Sequence, residues 1–134
     1  MKVRFAAAIA ALAAVSMSSM ASADDKLKYE DLIHCAATNM VVAGVLGMDD
    51  GKTKNKDQID TFNSQAAALM AIASISSKKE TAAVMADTST ESNVIIAVLA
   101  NNDKSKSFIE TELPRCKTLG QAAVEVVNES KAGK

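Results

Sequence analysis

Proline occurs once and glycine five times in this 134-residue chain, there is no tryptophan, and the aromatic share is 3 %. So few turn formers argue against a fold of many short strands joined by tight turns. No stretch alternates apolar and polar residues with a period of two, so no strands are expected. Only one histidine is present, His34, which removes any cluster of imidazole ligands and leaves a nucleophile no second base. Absent too are C-x-x-C-H, H-E-x-x-H and E-x-x-H spacings, a glycine-rich phosphate cradle and G-x-S-x-G. Asp49-Asp50-Gly51 lacks the alternating oxygen ligands of a calcium loop. The carboxylate pairs Asp24-Asp25, Asp49-Asp50 and Glu110/Glu112 fall at helix ends or on polar faces, where solvated acids are the rule. The expectation is a protein that is not an enzyme, with no catalytic residue, no cofactor and no metal site.

Basic residues are not in excess either: 15 stand against 16 acidic ones. A nucleic-acid binder normally carries a basic face, so that class is set aside.

What is present begins at the N-terminus. Lys2 and Arg4 precede the apolar run Phe5 to Val15, and Ala21-Ser22-Ala23 follows. A basic start, a short apolar stretch and an A-x-A site are the parts of a secretory signal peptide. The run is shorter than the roughly 20 residues needed to span a bilayer, and no second run is longer. The reading is a cleavable leader over residues 1–23, cut between Ala23 and Asp24, and a single helical domain over 24–134. Cleavage removes two basic residues and no acidic one, which leaves 13 against 16 and a formal charge of −3. The expected location is the periplasm or the exterior.

Export decides how Cys35 and Cys116 are read. Two cysteines in an oxidising compartment are most simply a disulfide. His34-Cys35 could instead be an activated thiol, but adjacent helical residues point about 100° apart and do not face one another. The disulfide is expected to clamp the first helix to the last.

Alanine, leucine, methionine, lysine and glutamate dominate, and these lose least on entering a helix. Tyr29, Leu32, Ile33, Ala36, Met40, Ala43 and Gly47 draw a stripe on a first helix from Leu27 to Met48. The run from Asp49 to Lys56 reads as an exposed connection. Asn55 with Gln58 reads as a capping box, starting a second helix striped by Ile59, Phe62, Ala66, Leu69, Met70 and Ala73 and stopping near Ser76-Ser77. Ser77-Lys78-Lys79-Glu80 reads as a fresh start. Thr88-Ser89-Thr90-Glu91 marks either a join between two helices or a polar waist in one kinked arm, the latter being preferred. Asn101-Asn102-Asp103 caps the last region, where Pro114 is expected to break or kink the helix near Glu112-Leu113. Beyond it Leu113, Cys116, Gly120, Ala123, Val124 and Val127 form an inward stripe. The fold class is all-α: a small antiparallel bundle of four helices, or five if the third arm divides, with one disulfide.

Function is expected to lie on the surface. Ala66-Ala67-Ala68, Ala82-Ala83 and Ala122-Ala123 allow close helix approach and suggest a second apolar face. The leading expectation is an exported, non-enzymatic protein-interaction or chaperone-like binding module, whose partner is another protein or a second copy. The alternative is a bundle that holds haem or copper through His34 and one of Met40, Met48, Met70 or Met85.

Overall fold

The structure, a computed structural model, describes residues 28–132. The expected leader over residues 1–23, its expected cleavage point between Ala23 and Asp24, and the pair Asp24-Asp25 lie outside the described residues. The described chain is all-helical, with four long helices and one short turn of helix: α1 (Tyr29–Leu46), α2 (Gly51–Lys54), α3 (Lys56–Ser77), α4 (Thr81–Leu99) and α5 (Asn102–Ala132). No strand occurs among the described residues, and no described helix is long and apolar enough to cross a membrane.

α1 is the central element and packs against α3, α4 and α5. Leu32, Ile33, Cys35, Ala36, Ala37, Thr38, Asn39, Val41 and Ala43 are all buried, so α1 is covered almost all round rather than along one stripe. The main core joins Leu32, Ile33, Cys35 and Ala36 of α1 to Leu69, Ile72 and Ala73 of α3, Val84 of α4, and Cys116, Ala123 and Val126 of α5. Small residues at many of these positions let the backbones approach closely. A second cluster holds Ala37, Val41 and Ile95, with Leu99 and Phe108 against it. Cys35 and Cys116 are fully buried and bonded to each other across 81 positions of sequence, with Cα atoms 4.8 Å apart. The disulfide does clamp α1 to the last helix.

Several local expectations are corrected. The run after α1 is not a plain exposed connection, because Gly51 is buried and opens α2. A Cβ on Gly51 would lie 2.0 Å from the Leu46 carbonyl oxygen, so only glycine fits this approach. Asn55 holds the N-cap position of α3 as expected but makes no side-chain cap bond; its Nδ2 donates to the Leu46 carbonyl at 3.0 Å and so serves the end of α1. Ser77 does not start α4. Its Oγ donates to the Ala73 carbonyl at 2.6 Å, and the chain leaves α3 through Lys78 in the left-handed region (φ 62°).

The polar waist of α4 stays within one helix. Thr88 Oγ1 donates to Val84 O, Thr90 Oγ1 to Ala86 O and Ser92 Oγ to Thr88 O, so the hydroxyls are satisfied by the turn behind them. α5 likewise runs unbroken through Pro114. Pro114 lies on the exposed side, where the carbonyl it leaves unpaired can be hydrated, and the expected break is not there. Asn101 does cap α5, accepting from Lys104 N at 3.1 Å.

Candidate functional site

Two features stand out on the surface, both built by α1 and α4. These helices run parallel. Tyr29 donates to Asp87, His34 meets Glu91, and further along Val41 and Ile95 share the second cluster.

The first feature is a polar node around His34. Its Nδ1 lies 2.7 Å from Glu91 Oε2 on α4, and its Nε2 lies 3.0 Å from Glu112 Oε1 on α5. Glu112 also accepts from Arg115 Nη2 at 2.9 Å, and Arg115 Nη1 reaches Asp31 Oδ1 at 3.4 Å. Phe108 stands edge-on to the imidazole, with ring centroids 5.9 Å apart. Carboxylate oxygens only accept, so both bonds form together when both ring nitrogens carry hydrogen. His34 is therefore a three-helix tie, and Cys35 beside it is committed to the disulfide. A metal or haem iron could take a ring nitrogen only by displacing Glu91 or Glu112. These partners lie 57 and 78 positions away in sequence, beyond the reach of any local pattern. Replacing His34 with Ala is expected to lower unfolding free energy by about 1 kcal/mol, since the node is only partly buried. Urea unfolding would read the change.

A second tie lies one turn toward the start of both helices. Asp87 accepts from Tyr29, and from Lys79 Nζ at 3.3 Å. Lys79 Nζ also sits 4.1 Å from the centroid of the Tyr29 ring. Burial, then the bond to Asp87, pushes the Tyr29 hydroxyl up to about 12. The hydrogen bond from Tyr29, then that from Lys79, holds the Asp87 carboxyl below the usual range. Arg115, more than His34, does the same for Glu112. A carboxylate with a lowered pKa in the folded chain stabilises it above the unfolded value, near 4, and that contribution is lost as pH falls through the lowered one. The urea midpoint is therefore expected to drop as pH falls from about 5 to 2. Asp87→Asn should flatten part of that slope.

The second feature is an apolar groove of about 420 Å3 between the C-terminal halves of α1 and α4. Met40, Val41, Gly44, Val45 and Met48 line one side, and Ser92, Ile96 and Leu99 the other. Met40 is 40 % exposed, Val45 53 %, Met48 64 % and Ile96 55 %. No charged residue occurs from Cys35 to Met48 or from Ser92 to Asn102. The one hydroxyl, Ser92 Oγ, is already spent on Thr88 O. The walls thus offer apolar area and no free polar anchor, which suits an apolar side-chain row rather than a small polar ligand.

The alanine runs contribute differently from expectation. Ala66 and Ala68 are buried and Ala67 exposed. Ala67, Ala68 and Ala71 line a depression of about 540 Å3 against Val124 and Val127 of α5, with Lys131 and Asn128 also on its rim. A third hollow, about 650 Å3, is polar and includes Asp60, Gln65 and Glu125. Of these three hollows among the described residues, the α1–α4 groove alone has walls free of charge. Among the methionines weighed as ligands, Met40 and Met48 belong to this groove, Met85 is exposed on α4 and Met70 packs beside the main core. No protein-family model matches this chain, and no curated protein or solved structure is significantly similar to it.

Proposed function

We propose that this chain is an exported, non-enzymatic binding module, periplasmic or secreted, that takes an apolar helical segment of another protein into the α1–α4 groove in the manner of a chaperone. The observation that carries the reading is the groove itself: Met40, Val45, Met48 and Ile96, 40–64 % exposed, between walls without charge. Exposed apolar patches bounded by polar surface mark interaction sites. Methionine at the rim, unbranched and polarizable, adapts to varied partner side chains. The leader-like N-terminus and the disulfide support a location outside the cytosol. The haem or copper reading is weaker, because both nitrogens of its only histidine are engaged by carboxylates.

The chain has no tryptophan, so a bound peptide can report its own surroundings. A synthetic amphipathic peptide with leucines at i, i+3, i+4 and i+7 and one tryptophan is the probe. Saturable blue-shifted emission with the native protein is expected, with affinity at least tenfold weaker in Met48→Glu, a change of about 1.4 kcal/mol. Emission that stays that of free peptide would refute the reading, as would equal binding by Met48→Glu.

A further inference from the structure

The chain holds few side chains that an oxidant attacks readily. Both cysteines are bonded to each other in the core, and there is no tryptophan. Thioethers are what remains, and beyond residues 1–23 they are Met40, Met48, Met70 and Met85. An oxidant must touch the sulfur, so exposure ranks them. Met48 is 64 % exposed, Met85 58 % and Met40 40 %, whereas Met70 packs beside the main core. Two of the three open thioethers, Met40 and Met48, stand in the wall of the α1–α4 groove.

That wall has no partner to offer an added oxygen. It carries no charge, and its one hydroxyl, Ser92 Oγ, already donates to Thr88 O. A sulfoxide oxygen on either methionine is a strong acceptor that water solvates while the groove is open. When an apolar segment covers the groove that water is lost, and no donor on the wall replaces it. Burying an acceptor without a donor carries a penalty that burying a thioether does not.

We propose that Met40 and Met48 form an oxidation site that closes the groove to apolar partners, the oxidant being a peroxide. The proposal rests on the groove being a binding surface and adds how that surface is regulated. The step balances with hydrogen peroxide alone. A sulfur lone pair takes one peroxide oxygen, the O–O bond breaks, and the second oxygen leaves as water with both hydrogens. Sulfur loses two electrons and the peroxide gains them. Neither methionine belongs to the buried core, so the helices stay in place and only the wall changes, from flexible and apolar to polar. Met85 is outside the groove, and its oxidation leaves the binding surface as it was.

The test compares the processed protein with Met40→Leu/Met48→Leu and with Met85→Leu, before and after a limited dose of hydrogen peroxide removed with catalase. Leucine keeps the apolar volume and the helix propensity of methionine. Peptide mass mapping locates the added oxygen, titration of the tryptophan peptide reads binding, and circular dichroism with urea unfolding follows the fold. Oxidation is expected at Met40 and Met48 ahead of Met70. Affinity for the peptide should then fall at least about tenfold in the native protein and in Met85→Leu, with the fold retained. Met40→Leu/Met48→Leu should bind equally well before and after. Oxidation of Met70 as fast as the groove pair, unchanged affinity of the oxidised native protein, or a loss of binding that accompanies unfolding would each overturn the proposal. So would an equal loss in Met40→Leu/Met48→Leu. Untreated protein that never binds the peptide would instead overturn the groove as a binding surface, and the closing with it.

Discussion

Reduction of the Cys35–Cys116 bond is expected to lower the melting temperature by more than about 15 °C. The bond spans 81 positions of sequence. In the chain-entropy model a loop of that length is worth about 4 kcal/mol of unfolded-state entropy, and each kcal/mol shifts a domain of this size by roughly 4–8 °C. Its placement adds to the effect. Both sulfurs are fully buried in the main core, between Ile33 and Ala36 on α1 and Ala123 on α5. Reductant therefore reaches them only when the α1–α5 contact opens, and reduction of the folded protein should be slow without denaturant. Calorimetry of oxidised and reduced protein, and of Cys35→Ala/Cys116→Ala, would measure the loss. A shift of only a few degrees would show that packing alone holds α1 to α5.

Gly120→Ala should cost about 1–3 kcal/mol even though alanine is the better helix former. Gly120 is buried on α5. A Cβ there would lie 2.9 Å from Asn39 Nδ2, from Gln65 Cβ and from Gln65 Oε1. The amide ends could rotate away, but Gln65 Cβ is fixed to α3 and cannot. Asn39 Nδ2 and Oδ1 and Gln65 Oε1 are buried there with no side-chain or backbone partner among the described residues. Gly120 lets α5 close over these amides, so the added methyl must move helices and not only side chains. Gly44→Ala is the matched control: it fills open space in α1 and should be neutral or stabilising. Opposite signs in urea unfolding are the expected result, and equal signs would mean that intrinsic helix propensity outweighs packing at Gly120.

The helices and the disulfide were legible because their causes are local or compositional. Leu69, Ala73, Cys116 and Ala123 lie on stripes spaced by three and four, and an even pair of cysteines behind a leader-like segment implies a bond. The caps were less legible, since the same side chain can serve either neighbour. Asn55 turns back to Leu46 O and Ser77 to Ala73 O, although both sit in start-signal patterns. Burial of Thr38 and Asn39 could not be read, because α1 is surrounded by three helices and a one-sided stripe assumes one. The His34 node was hidden for a different reason: Glu91 and Glu112 come to it from separate helices. The groove was partly legible. Met40 lies on the stripe of the first helix, yet only the parallel placement of α1 and α4 sets Met40 and Met48, partly exposed, in one groove with Ile96.

The described residues hold four methionines, Met40, Met48, Met70 and Met85, and their methyl groups give the most direct test of the groove as the binding surface. With 13C-methyl methionine incorporated, the amphipathic tryptophan peptide would be titrated and each assigned resonance followed. The groove account predicts saturable shifts of Met40 and Met48, with Met70, beside the main core, unmoved. Shifts at Met70 with Met40 and Met48 unmoved, or no shift at any methyl, would contradict it.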